Sequence, residues 1–351
     1  MSASDDDLLT RLRQAKLTGL VRSRFARDLP DEGSAEAGPF RSGATFVLGD
    51  RAFVLIDDAQ PTSLGGALVW FARQEANELH VLVDGEDGVA EVLARQALCF
   101  ASPPHIWKVA DRALEPVIAA GPPAAPGSIP SGAEALMSMF DDAGIDVVVE
   151  HGVVKGEVLG LEVARIVVSG EDPTGTRAGA DPDAGLCTLE IGVGRFDREI
   201  AAMMHADQSH ARTLGNAVEL VRRYRYTGAE RHPLRDLVPE RWVRALVMAD
   251  PSLVGAATLA PCDTTIDPPN LRARQPAAAI GIDDAGNPVV VVCSAGVDVD
   301  LVPLAADTRA WLDPGARLVL AVAVRDLPRV IGDVAAMLAQ PADVVVLAPL
   351  F

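Results

Sequence analysis

The sequence predicts a mixed α/β protein in which two related α/β domains flank an α+β middle domain with an antiparallel sheet. Three observations carry this reading. Residues 53–109 alternate apolar strand-like runs with helix-like ones, the order expected of a partly parallel sheet covered by helices. Residues 288–348 repeat that order at nearly the same spacings, although the letters differ. Between them, residues 133–226 run helix, three strands, helix, which suits an antiparallel sheet.

Taken in order, residues 7–27 read as a helix, and DLPDEGSAEAGPF after it as a polar loop. ATFVLGDRAFVLID predicts two strands around a Gly-Asp turn. Helices over 64–74 and 89–100 and strands over 79–84 and 105–109 follow. PVIAAGPPAAPGSIPSGAE is rich in Pro, Gly and Ala and reads as an extended linker. These signals predict a first domain over 1–115, a linker over 116–132, a middle domain over 133–228 and a C-terminal domain over 229–351.

In the middle domain a helix over 133–143 leads into strands over 147–154, 157–168 and 186–193. The loop SGEDPTGTRAGADPDAG separates the last two strands and is expected to be mobile. Helices are expected from about 197 and over 211–226. In the third segment a helix begins near Pro239, PCDTTIDPPNLRARQP reads as a loop, and Asp284-Ala285-Gly286-Asn287 carries turn chemistry. The β-branched run Val289–Cys293 is a strand covered on both faces. A helix over 298–312, a strand from Ala316, a helix over 330–340 and a strand over 343–347 complete the pattern.

The bulk properties narrow the function. The formal net charge is −18, and lysine occurs only at Lys16, Lys108 and Lys155, so nearly all positive charge is arginine. Phosphate-backbone affinity rests on Lys and Arg, so strong direct binding to duplex DNA is not expected. No apolar run approaches the roughly 20 residues that span a bilayer, and the acidic start lacks a signal-peptide pattern, so no membrane association and a cytoplasmic location are expected. The cysteines, Cys99, Cys187, Cys262 and Cys293, form no CxxC pair and read as reduced thiols.

ERWVRALVMADPSLVG, AIGIDDAGNPVVVVCS and ARLVLAV form a helix, a strand, a turn, a second strand, a helix and a third strand. This stretch of about 110 residues resembles the PD-(D/E)XK nuclease superfamily, in its mismatch-type endonuclease branch. The resemblance implies restriction-endonuclease-like folds for the C-terminal domain and for its N-terminal echo. Anchored on Gly286, it puts Ala278 at the position of the family's Asp, and Val292 and Ser294 at those of its Glu and Lys. Alanine and valine cannot offer the carboxylate oxygens that Mg²⁺ needs, so the resemblance implies the fold without the chemistry. The N-terminal copy has Leu55-Ile56-Asp57 and no Glu-x-Lys.

The candidate site therefore falls in the middle domain, where Glu150, His151, Glu157, Glu162, Glu190, Arg195, Asp197 and Arg198 lie on or beside strands. Strand alternation puts Glu162 and Ala164 on one face, Glu190 and Gly192 on another strand's equivalent face, and Arg165 on the opposite side. Two carboxylates over small residues would leave room for a ligand or partner; the competing reading is a solvated face with cross-strand ion pairs. His205 and His210 read as surface or capping residues. Gly65-Gly66, opening a helix, suits either an anion or close packing. GVGRF lacks the spacing of a phosphate loop.

The leading functional expectation is a non-catalytic nuclease-like scaffold or binding protein, working in nucleic-acid maintenance through a protein partner or as a homo-oligomer, with no cofactor. A metal-dependent enzyme using Mg or Mn at the middle-domain carboxylates is the first alternative. An adaptor or chaperone-like protein is the second, since the helix–strands–helix order resembles that of small α/β secretion chaperones.

Overall fold

The computed structural model describes residues 3–25, 37–41, 43–125, 129–130, 132–168, 187–193, 209–226, 228–268, 274–325 and 329–350. The elements run α1 (Ala3–Phe25), β1 (Gly38–Phe40), β2 (Gly43–Leu48), β3 (Arg51–Ala59), α2 (Leu64–Phe71), β4 (Glu78–Gly85), α3 (Val89–Ala97), β5 (His105–Ala110) and β6 (Ala113–Pro116). Next come α4 (Glu134–Ala143), β7 (Asp146–Glu150), β8 (Val153–Val158), β9 (Leu161–Val168), β10 (Cys187–Ile191), α5 (His210–Tyr224), the short α6 (Pro233–Asp236) and α7 (Pro239–Ala249). The chain continues with β11 (Thr258–Cys262), β12 (Ala277–Ile282), β13 (Pro288–Ser294), α8 (Leu301–Leu312), β14 (Arg317–Ala323), α9 (Arg329–Ala335) and β15 (Ala342–Leu347).

The fold is mixed α/β with three sheets, one of them wholly antiparallel, as the sequence predicts. The two segments share an order of strand pairing. β2 pairs antiparallel with β3, and β3, β4 and β5 follow in parallel order. β12 pairs antiparallel with β13, β13 pairs parallel with β14, and β15 lies beside β14. The strands that the sequence reading missed, β1, β6 and β11, are short or carry proline and sit at sheet edges, where the apolar signal is weakest. Several helices are shorter than expected: α2 ends at Phe71 rather than Gln74, α3 at Ala97 rather than Phe100 and α9 at Ala335 rather than Gln340, and α8 begins at Leu301 rather than Asp298.

The chain forms two compact units. The first takes the described residues of 1–123, 298–314 and 328–342; the second takes those of 124–297, 315–327 and 343–351. The C-terminal segment thus contributes to both, its helices α8 and α9 to the first and its strands to the second.

In the first unit, α1 lays Leu17, Leu20, Val21 and Phe25, one stripe at helical spacing, over Phe53, Leu55 and Leu82 of the six-stranded sheet. Helices α2, α3, α8 and α9 pack against one another. Gly65 at the start of α2 resolves the two sequence readings together. A Cβ there would lie 2.0 Å from the carbonyl oxygen of Val299, so the backbones require glycine. Its N–H donates to the Asp300 carboxylate at 2.8 Å, so the anion at this helix N-terminus is a side chain of the chain itself.

In the second unit, β10-β9-β8-β7 form the antiparallel sheet. Its apolar face, with Val154, Val163, Ala164 and Ile166, packs on Phe140 of α4 and on Leu214, Val218 and Val221 of α5. Turns His151-Gly152 and Leu159-Gly160 have positive φ at both residues, which matches the twist of the tight hairpins they close. A Cβ on Gly160 would lie 2.2 Å from the carbonyl oxygen of Arg241, which seats the second hairpin against the first turn of α7. The opposite side of α7 buries Trp242, Val243 and Val247 on Val289, Val291, Val319 and Ala321 of the five-stranded sheet.

Burial and the nearby Asp298 push Asp300 up to about 7. A carboxyl whose folded-state pKa exceeds its unfolded value of about 3.9 binds more protons when folded, so it erodes stability as pH rises from about 4 to 7, by on the order of 4 kcal/mol. Asp300→Asn keeps the acceptor for the Gly65 N–H and removes that loss. It is expected to raise the melting temperature at pH 7.5 by several degrees and to leave it nearly unchanged at pH 4, as read by thermal denaturation.

Candidate functional site

The charged face of the antiparallel sheet is built by register and one irregularity. Lys155 stands opposite Arg165 and Glu157 opposite Glu162, with a bulge between them on β9. The extra residue turns both Val163 and Ala164 toward the core, where each is fully buried. Glu162 and Arg165 consequently share the charged face, and Ala164 does not. The expectation that Arg165 lies opposite Glu162 is thus corrected: simple alternation fails across a bulge. Glu190 stands directly opposite Arg165, on the same face and on the strand next to Glu162. Gly192 bonds through its N–H to the carbonyl of Val163.

A cavity of about 300 Å³ opens over this face. Glu150, His151, Lys155, Glu162 and Arg165 line it from the sheet, Arg241 from α7, and Cys262, Thr264, Asp267 and Gln275 from β11 and the segment after it. Of the residues singled out from sequence, Glu150, His151 and Glu162 meet there. Glu157 is buried behind them, Glu190 is partly exposed outside the lining, and Arg195, Asp197, Arg198 and His205 lie outside the described residues, as does the whole 169–185 loop. His210 is an exposed residue at the start of α5.

Sequence reasoning missed the arginines of α7. Arg244 contacts Glu150 through Nη1 and Glu157 through Nη2, the latter at 2.9 Å. Arg241 does the same with the other oxygens, 2.9 Å to Glu150 and 3.1 Å to Glu157. Lys155 adds a 3.2 Å contact to Glu150. Every one of these five residues is at least nine-tenths buried. Although burial alone would raise it, Arg244, Arg241 and Lys155 hold the Glu150 carboxyl far below the usual range. Arg241 and Arg244 are three apart on a helix, which is the only sequence signal that could have found them.

The rest of the lining is also internally partnered. Arg165 binds Glu162 at 2.8 and 2.7 Å, through Nε and Nη2. His151 Nδ1 lies 2.6 Å from Asp267, and its backbone N–H donates to Asp263 at 3.0 Å. The neighbouring Arg225, pushed down to about 10 by burial, stacks on Trp242 and donates to the carbonyls of Leu234 and Leu237, closing the end of α6. Burial pushes the Cys262 thiol up to about 12, which rules it out as a thiolate nucleophile at neutral pH.

Glu78, His80 and His105 in the first unit bring three ligand atoms within 4.8 Å of one another. Trp107 Nε1–H donates to His80 Nδ1 at 3.1 Å, which puts the proton of the neutral ring on Nε2, facing Glu78 at 3.5 Å. A metal at Nε2 would require breaking that arrangement. The rings of Phe53, His80 and His105 stack at 4.9 and 4.7 Å, so the cluster reads as a packed layer.

The chain matches no family model, no curated protein and no solved structure. These comparisons lend no support to the nuclease resemblance.

Two expectations follow. Removing Arg244 leaves two buried carboxylates short of a partner, so Arg244→Met is expected to cost about 3–5 kcal/mol in chemical denaturation. Adding Glu150→Gln should recover part of it, because the pair is coupled. His80 is pushed down to about 4 by burial and by His105. Its unfolded pKa is about 6.5, so the unfolded chain binds more protons between the two values, and stability rises with pH across that window by on the order of 3 kcal/mol. His80→Phe should flatten the rise between pH 4 and 6.5.

Proposed function

We propose that the chain is a non-catalytic binding protein that engages a protein partner through the charged cleft of its second unit. One observation carries the reading: among the described residues, each carboxylate lining the cleft, Glu150, Glu162 and Asp267, already holds a basic group of the chain itself. Carboxylates so occupied are poor ligands for a hard divalent cation, which binds through free oxygen lone pairs. Lys155, Arg165 and Arg241 balance the three carboxylates, so the cleft suits a polar partner segment carrying charges of both signs.

The positions that the nuclease resemblance marks support the same reading. Ala278 lines the cleft, Val292 stands opposite it in register, and Ser294 is buried; none offers a carboxylate. Under this reading the nuclease-like elements serve as a scaffold, and the partner acts in nucleic-acid maintenance.

Calorimetric titration with Mg²⁺ and Mn²⁺, beside cleavage and binding assays on single- and double-stranded DNA, tests it. Neither metal binding nor cleavage is expected, and duplex affinity should be weak in about 150 mM salt, where the Debye length is about 8 Å. Metal-dependent cleavage lost in Glu162→Gln would overturn the proposal. Once a partner is in hand, Arg165→Met with Glu162→Gln, which leaves neither member of that pair charged, should weaken its binding at least about tenfold with little change in melting temperature.

A further inference from the structure

A second cavity, of about 390 Å³, lies wholly within the first unit. Its walls are apolar: Leu98 and Cys99 after α3, Ala120 and Pro122 beyond β6, Ala306, Ala310 and Trp311 on α8, and Ala339. Its size is that of a small-molecule pocket, and such pockets are mostly apolar with a few placed polar groups. Leu98 leaves 64 % of its surface exposed at this wall.

The polar groups are Arg95, Asp307, Arg309 and Gln340. Arg95 and Asp307 close on each other through two parallel contacts of 2.9 Å, and Arg95 donates further to the Gly121 carbonyl. That pair is self-satisfied. Arg309 differs. It is 5 % exposed, donates to the carbonyl oxygens of Pro341 at 3.0 Å and Gln340 at 3.2 Å, and has no carboxylate partner among the described residues. A guanidinium buried against neutral oxygens retains a full charge that nothing nearby cancels. Its desolvation lowers the Arg309 pKa, the direction expected of a cation lacking an anion. Cys99 contributes no charge, since burial pushes its thiol up to about 11.

We propose that this cavity binds an apolar molecule bearing one carboxylate, with the apolar part against Trp311, Leu98 and Ala310 and the carboxylate on Arg309. The Arg95–Asp307 pair forms the adjoining wall and makes no demand on the ligand. The site is separate from the charged cleft, and the proposal does not depend on the function assigned there.

Calorimetric titration of the full chain with octanoate, beside octanol as the uncharged analogue of equal chain length, tests it. Octanoate is expected to bind, and octanol at least about tenfold more weakly, the cost of leaving the charged hydrogen bond unmade. Arg309→Met should reduce octanoate affinity by a similar factor while leaving octanol binding unchanged. Because Arg309 also holds the segment after α9, Ala310→Phe serves as a second variant: it fills the mouth of the cavity from an exposed position and should abolish binding of both probes at an unchanged melting temperature. Equal affinity for octanoate and octanol, undiminished octanoate binding in Arg309→Met, or undiminished binding in Ala310→Phe would each overturn the proposal. So would the absence of any octanoate binding at millimolar concentration.

Discussion

The second unit depends on the arrangement in which two carboxylates, Glu150 and Glu157, are each bridged by two guanidiniums, Arg241 and Arg244. The carboxylates belong to neighbouring strands of the antiparallel sheet, and the arginines to one helix whose other side packs on the five-stranded sheet. Buried ion pairs of this kind add little net stability compared with apolar packing, because desolvation offsets the attraction. Their effect is on geometry. A guanidinium satisfies a carboxylate in few orientations, so four such contacts fix the rotation and height of α7 over the sheet. Gly160, pressed against the Arg241 carbonyl, sets the same relation from the backbone.

What was legible in the sequence follows from the physics of each signal. Val289–Cys293 is buried on both faces and announces itself without alternation, and the alternating order of strands and helices gives the two partly parallel sheets. The Gly65-Gly66 opening of α2 was readable as a helix start, but its anion was not, because Asp300 is 235 residues away. The same holds for Arg241 and Arg244. On the sequence they are ordinary charges of an amphipathic helix, and only the fold brings them to Glu150 and Glu157, 84 to 94 residues distant. Local patterns reveal elements; they carry no information about which buried charges will meet.

The bulge on β9 is a sharper case. LEVAR reads as simple alternation, which puts Glu162 and Arg165 on opposite faces and leaves the glutamate facing a floor of small residues. One extra residue in the ladder reverses this, because every side chain beyond it changes face. The glutamate gains an arginine, and the small Ala164 goes to the core beside Phe140 and Ile166. The difference between an open carboxylate site and a closed ion pair thus rests on a single backbone irregularity. Nothing in the residue types at 161–165 forbids a regular strand.

The two cavities differ in how their charges are resolved, and that difference separates recognition from architecture. In the charged cleft, Arg241 and Glu150 both line the cavity and hold α7 on the sheet, so a ligand drawing on them would loosen the unit itself. Lys155 and Arg165 belong to the sheet itself: Lys155 meets Glu150, Arg165 meets Glu162, and Arg165 is partly exposed. Under the proposed function, recognition at the cleft falls on those two, with Glu162 as the internal counter-ion that an incoming acidic group would have to displace. In the apolar cavity Arg309 donates to two carbonyl oxygens and meets no carboxylate among the described residues, so under the proposal an anion arriving there displaces no acidic side chain. An acidic group entering the cleft must compete with a bound glutamate, whereas one entering the apolar cavity completes an interaction the fold leaves half made.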